Sequence, residues 1–222
     1  MTARSSLRGL YAITPETRDT AWLASAVAQA VEGGARVVQY RDKSGDADLR
    51  IAQARAIAGI CRRGGARLII NDDVALALDA GADGVHLGRE DGAIAEARRR
   101  LPAGALLGAS CYDRFELAQA ALDAGADHVA FGAVYPSSVK PGAVRASLDL
   151  FRTARAKLDC PIIAIGGINA DNAAAVIQAG ADAVAVITAV FGAPDIRKAA
   201  AAIARLFPDT GKQAQPFPTE HP

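Results

Sequence analysis

Gly180-Ala181-Asp182-Ala183-Val184-Ala185-Val186-Ile187 sets a glycine-alanine pair between a helix-like stretch and a short apolar run. Glycine accepts the left-handed conformation that closes a helix, and a β-branched run suits a buried strand. The arrangement recurs at Gly34-Ala35, Gly65-Ala66, Gly81-Ala82 and Gly125-Ala126. The strands it predicts are Val37-Val38-Gln39-Tyr40, Leu68-Ile69-Ile70, Gly84-Val85-His86-Leu87, His128-Val129-Ala130-Phe131 and Ala183-Val184-Ala185-Val186-Ile187. They are apolar on both faces, as expected of a parallel sheet covered by helices. Leu10-Tyr11-Ala12-Ile13, Ala105-Leu106-Leu107-Gly108-Ala109 and Pro161-Ile162-Ile163-Ala164-Ile165 bring the series to eight. Alanine-rich amphipathic stretches separate them at 21–31, 48–62, 73–80, 94–100, 114–124, 148–158, 172–179 and 196–206. Eight β-then-α units in 222 residues fit a (β/α)8 barrel better than an open doubly wound sheet. The expected layout is a flexible N-terminus at 1–8, the barrel at 9–207 and a disordered tail at 208–222.

Composition agrees with one globular domain: 51% hydrophobic residues, 22% charged residues and a net charge of +1. A chain of this length buries roughly 70% of its unfolded surface without metal or disulfide staples. Charges of both signs are interspersed, which argues against a nucleic-acid face and a polybasic membrane patch while leaving room for a small local cluster that holds an anion. Cys61, Cys111 and Cys160 are odd in number and lack zinc-site spacing, so they read as reduced thiols. No run approaches the roughly 18 apolar residues of a membrane span, and no secretory signal core precedes Gly9. The expected setting is the cytoplasm and the expected partners are small molecules; a homo-oligomer is compatible with the pattern but not specified by it.

Barrel chemistry sits at the C-terminal ends of the strands. There the second strand runs into Gln39-Tyr40-Arg41-Asp42-Lys43, the third into Asn71-Asp72-Asp73 and the fourth into Gly88-Arg89-Glu90-Asp91. The fifth ends at Ser110, the sixth leads to Pro136-Ser137-Ser138-Val139-Lys140, the seventh to Gly166-Gly167-Ile168 and the eighth to Ile187-Thr188. Cations, carboxylates and hydroxyls on one rim point to anion binding. The glycine pair either presents backbone N–H groups to a phosphate, with Thr188 beside it, or only makes a tight turn. Asp72 and Asp91 follow adjacent strands, so they either share a hard cation such as Mg²⁺ or cap the helices that follow. Arg41, Lys43 and Lys140 on the same rim favour metal with a pyrophosphate group. For His86, between Val85 and Leu87, a satisfied core histidine is favoured over an acid or base. Neither a nucleophile elbow nor a P-loop or dinucleotide fingerprint is present in its proper context.

Leu10-Tyr11-Ala12-Ile13-Thr14-Pro15, Val38-Gln39-Tyr40-Arg41-Asp42-Lys43, Ile70-Asn71-Asp72, Gly84-Val85-His86-Leu87-Gly88, Gly132-Ala133-Val134-Tyr135-Pro136 and Ala164-Ile165-Gly166-Gly167-Ile168 together resemble the thiamine-phosphate synthase family. The likeness covers about residues 10 to 207. It implies a barrel transferase joining 4-amino-5-hydroxymethyl-2-methylpyrimidine diphosphate to a thiazole phosphate. Carried over by position, it implies Gln39, Tyr40, Arg41, Asp42, Lys43, Asn71, Ser110 and Lys140 on the pyrimidine diphosphate. Of these, Arg41, Lys43, Lys140 and Ser110 are implied to be catalytic, with Asp72 and Asp91 as Mg²⁺ ligands. Ser137, Ser138, Val139, Gly167, Ile187 and Thr188 fall to the thiazole phosphate.

Val139 stands where the resemblance leads one to expect threonine, and Arg89 where glutamine is usual. The first removes a phosphate-contacting hydroxyl. The second sets a positive charge beside Asp91, either weakening Mg²⁺ or helping to hold diphosphate. Ile187-Thr188 in place of an Ile-Ser pair keeps the hydroxyl. A thiazole tautomerase and a non-catalytic phosphate-binding relative are the alternative readings. The connection at 136–146, with Pro141 and Gly142, is expected to act as a lid.

Overall fold

In the computed structural model the described residues are 7–88, 94–136 and 144–207. Its strands are β1 (Gly9–Ile13), β2 (Ala35–Tyr40), β3 (Arg67–Asn71), β4 (Gly84–Leu87), β5 (Leu106–Tyr112), β6 (His128–Phe131), β7 (Ile162–Ile165) and β8 (Ala183–Val186). They close in sequence order into an eight-stranded barrel, every neighbouring pair parallel. Around it, among the described residues, lie α1 (Thr20–Glu32), α2 (Ala47–Gly64), α3 (Val74–Asp79), α4 (Ile94–Arg100), α5 (Phe115–Asp123), α6 (Leu148–Lys157), α7 (Ala173–Gln178), α8 (Thr188–Phe191) and α9 (Ile196–Ala204). The five glycines of the repeated pair, Gly34, Gly65, Gly81, Gly125 and Gly180, all have positive φ, between 60° and 116°. That conformation turns the chain from each helix into the next strand.

Two-sided strands divide the core into two layers. Leu10, Ala12, Val38, Tyr40, Leu68 and Ile70 point outward into a layer shared with the helices. Tyr11, Ile13, Val37, Ile69, Ala130, Ile163, Ala183 and Ala185 fill the barrel interior. Leu7 joins that interior at 1% exposure, although it falls within the 1–8 stretch expected to be flexible. An apolar side chain at the open bottom of the barrel gains more from burial than the chain loses by ordering one residue. Residues 1–6 and 208–222, expected to be disordered, lie outside the described residues.

Three of the Gly-Ala pairs continue into an aspartate that the periodicity alone does not single out. Asp83, Asp127 and Asp182 directly precede β4, β6 and β8. Each carboxylate reaches back to the preceding odd-numbered strand and accepts its backbone N–H, from Leu68 (2.8 Å), Leu107 (2.7 Å) and Ile162 (2.9 Å) respectively. Each also pairs with an arginine: Arg67 at 2.6 Å, Arg98 at 3.0 Å and Arg155 at 2.6 Å. These brackets tie β3 to β4, β5 to β6 and β7 to β8 at the end of the barrel opposite its mouth. Helix starts are set by side-chain caps: Asp19, Asp46, Asp73, Ser147 and Asp195 each accept the N–H three residues on.

Candidate active site

At the mouth, strands β1 to β3 deliver one continuous polar chain. The Tyr11 hydroxyl donates to Gln39 Oε1 at 2.8 Å, and Gln39 Nε2 donates to Asn71 Oδ1 at 2.6 Å. Asn71 Nδ2 donates to Asp72 Oδ2, which also lies 3.3 Å from Lys43 Nζ. Asp72 has φ 66°, a left-handed backbone unusual for a residue with a side chain. The cap of α3 is Asp73, whose Oδ1 accepts from Leu76 N while its Oδ2 meets Arg50 at 2.9 Å. Capping therefore makes no demand on Asp72, and its Oδ1 has no hydrogen-bond partner among the described residues.

Arg41 is held from two sides by the β1 exit. The hydroxyl of Thr14, wholly buried, accepts from Arg41 N at 2.9 Å, and Thr14 N donates to Gln39 O at 2.9 Å. The Arg41 guanidinium donates through Nη1 to Glu16 Oε1 at 2.8 Å. Thr14 and Glu16 are not among the site residues expected from the sequence, where Thr14 stands only in the first block of the family likeness. Tyr40 is corrected. Its side chain faces outward, 2% exposed, and its hydroxyl donates to Gln53 Oε1 at 2.9 Å, so it does not face the mouth. Alternation along β2 sends Gln39 inward and Tyr40 outward. The Asp42 carboxylate is engaged by Ser44, accepting from its N–H at 3.0 Å and from its hydroxyl, which makes it a turn residue here.

On the next strands round, β4 and β5, His86 pairs with Asn71 in the sheet and its Nε2 lies 2.9 Å from Ser110 Oγ, so His86 is a buried histidine with a hydrogen-bonded ring. The β5–β6 register shifts between Ser110 and Tyr112, and Tyr112 itself takes a positive φ of 53°. Burial pushes the Cys111 thiol between them up to about 12, which leaves it unreactive at neutral pH. His128 sits 5.7 Å from His86, ring to ring. A Cβ on Gly108 would stand 2.2 Å from one ring and 2.4 Å from the other, so glycine gives both imidazoles their room.

His128 is wholly buried, and neither ring nitrogen has a hydrogen-bond partner among the described residues. Desolvation, with His86 nearby, lowers its pKa to about 3. Below the ordinary value near 6.5 the unfolded chain takes up a proton that native His128 refuses. Its contribution to stability is thus complete above pH 6.5 and is lost as the pH falls toward 3. Denaturant titrations should show this protein losing about 1.4 kcal/mol more per pH unit than His128→Phe between pH 6 and 4. Parallel slopes for the two proteins would show that His128 is charged in the fold.

The β7 exit carries Gly166 (φ 100°) and Gly167 (φ 63°). A Cβ at Gly167 would stand 2.3 Å from Pro136 O, so the turn is packed against the β6 exit. Val134 N and Tyr135 N donate to Ile165 O and Gly166 O at 3.0 and 2.9 Å. The tight-turn role is therefore real. The N–H groups of Gly166, Gly167 and Ile168 nonetheless donate to no partner among the described residues. Thr188 is exposed one residue past half-buried Ile187, where α8 begins. Arg89 and Asp91, and Ser137, Ser138, Val139 and Lys140 with most of the expected lid, lie outside the described residues. The chain flanking that connection is stitched together, Ala133 N donating to Val144 O and Ala146 N to Ala133 O.

A closed (β/α)8 barrel whose mouth gathers a carboxylate, an arginine, a lysine and two carboxamides has the architecture of a barrel enzyme, its polar groups at the strand ends. The family model described as thiamine monophosphate synthase matches residues 10–190. The chain belongs to that family. It is 58% identical over 201 residues to thiamine-phosphate synthase of Chromobacterium violaceum, covering 90% of this chain and 97% of that protein. The thiamine-phosphate synthase of Thiobacillus denitrificans is 55% identical over 199 residues, covering 90% and 94%. Among solved structures, thiamine phosphate pyrophosphorylase from Pyrococcus furiosus matches with a TM-score of 0.82 and 35% identity, covering 91% of this chain and 96% of that one.

Proposed function

We propose that the chain joins 4-amino-5-hydroxymethyl-2-methylpyrimidine diphosphate to a thiazole phosphate, releasing diphosphate and forming thiamine phosphate. The observation that carries this is the identity of 50–58% to proteins named thiamine-phosphate synthase, over nine-tenths or more of the chain. The mouth supplies chemistry of the right kind. Arg41 and Lys43 meet the charge that grows on the departing diphosphate, with Lys140 from the β6 side. The C–O bond breaks with its electron pair on diphosphate. The aminopyrimidine spreads the positive charge left on its methylene carbon, and the thiazole nitrogen lone pair forms the new C–N bond. No protein nucleophile takes part. Gln39 and Asn71 border the pyrimidine, Ser110 stands further round the mouth on β5, and the thiazole phosphate lies on Gly167, Ile187 and Thr188 with Ser137, Ser138 and Val139.

Mg²⁺ fits this mouth. Asp72 offers a hard oxygen, Oδ1, with no other partner among the described residues, while its second oxygen is held by Asn71 and Lys43. Magnesium characteristically takes one or two carboxylates and fills the rest with water and phosphate oxygens. Asp72 would hold it with Asp91, and the bound ion would neutralise charge on diphosphate. The enzyme works on small molecules in the cytoplasm. Among the described residues no helix is long and apolar enough to cross a membrane, and the three cysteines are free and buried.

Mixing both substrates with Mg²⁺ should release diphosphate in step with thiamine phosphate. Release from the pyrimidine diphosphate alone would make the protein a hydrolase, and isomerised thiazole without release would make it a tautomerase. Arg41→Lys should raise the KM for pyrimidine diphosphate about tenfold and leave that for thiazole phosphate unchanged, because a lysine offers a point charge where arginine offers a planar fork. Equal loss for both substrates would assign Arg41 to the Glu16 ion pair alone.

A further inference from the structure

Tyr11 lies beneath the mouth, 1% exposed, and starts the hydrogen-bond chain that ends on Asp72. That chain runs in only one direction. Asn71 turns its NH2 to Asp72 Oδ2, the oxygen that also faces Lys43 Nζ at 3.3 Å. The Asn71 oxygen then faces Gln39 and must receive its NH2, at 2.6 Å. Gln39 Oε1 is left facing inward, 4% exposed, and needs a donor from the barrel interior. The Tyr11 hydroxyl supplies it at 2.8 Å. Burial raises the Tyr11 pKa far above neutrality, so the donor is present at every working pH. Reversing either carboxamide would set oxygen against oxygen at a link and disrupt the next one.

Resting on the proposed synthase reaction, we infer that Tyr11 is a positioning residue that locks Gln39, Asn71 and Asp72 in their substrate-receiving orientation. The locked chain leaves one N–H on Gln39 and one on Asn71 without partners in it, and leaves Asp72 Oδ1 open. Without the hydroxyl, Gln39 Oε1 is a buried acceptor with no donor and the carboxamide rotates to find one.

Calorimetric binding to the full chain tests this. Tyr11→Phe should weaken binding of pyrimidine diphosphate with Mg²⁺ on the order of tenfold, leave binding of thiazole phosphate unchanged, and leave Tm within a few degrees. In a Gln39→Leu background the same Tyr11→Phe change should have no further effect, because Tyr11 acts through Gln39. Tyr11→Met, which also removes the hydroxyl, should show the same selective loss and serves if Tyr11→Phe does not fold. Equal weakening of both ligands, an unchanged affinity in Tyr11→Phe, or a full effect surviving in Gln39→Leu would overturn the inference. Diphosphate release by the unaltered protein separates that outcome from failure of the synthase reading, which predicts release whatever Tyr11 does.

Discussion

Asp72→Asn is expected to lower turnover about a hundredfold or more with the fold intact. The substitution keeps the shape and one acceptor oxygen but removes the charge that Lys43 and the proposed Mg²⁺ share. Little stability should go with it. Lys43 is 54% exposed and the pair contributes at most about 1 kcal/mol. The loss should be greatest at limiting Mg²⁺ and recede as Mg²⁺ is raised, which a charge partner of Lys43 alone would not show. Asp72→Gly sharpens the point. Glycine relieves the left-handed backbone at φ 66°, so Tm should hold or rise while activity falls as far as in Asp72→Asn. Near-normal turnover of either variant at limiting Mg²⁺ would remove Asp72 from the site.

Asp182→Ala should produce the largest loss of stability. The carboxylate is 11% exposed, accepts from Ile162 N and meets an Arg155 side chain that is itself 22% exposed. Arg155 also reaches Leu158 O and Cys160 O, so it cannot swing freely to solvent when its partner goes. Removing one member of such a pair costs about 3 to 5 kcal/mol, a fall in Tm of roughly 10 °C for a chain of this size. Asp182→Asn, which keeps an acceptor for Ile162 N, should lose about half as much. A shift of under 2 °C in a thermal melt of Asp182→Ala would show that the β7–β8 bracket carries no stability.

The barrel was readable because one signal recurs: a glycine that closes a helix, then a short run buried on both faces. That same two-sidedness hid which face each residue takes. Gln39 and Tyr40 look equally plausible in β2, and only the closed sheet sends one to the mouth and the other to Gln53. Asp73 could have been separated from Asp72 in advance, since Asp73 stands three residues before Leu76 as a cap requires. Asp42 before Ser44 similarly carries a local turn signal. Tyr11, Thr14 and Glu16 had no such local mark. Their importance comes from contacts to residues 25 to 28 positions away, created when β1 pairs with β2. His128 was equally silent, being one polar residue in an apolar run until Gly108 opens space beside His86.

A crystal structure with Mg²⁺, thiamine phosphate and diphosphate bound tests the central claim most directly. The metal should lie on Asp72 Oδ1, diphosphate on Arg41 and Lys43, the pyrimidine edge beside Gln39 and Asn71, and the thiazole phosphate on Gly167 and Thr188. Diphosphate bound away from Arg41 and Lys43, or a metal that does not touch Asp72, would contradict it.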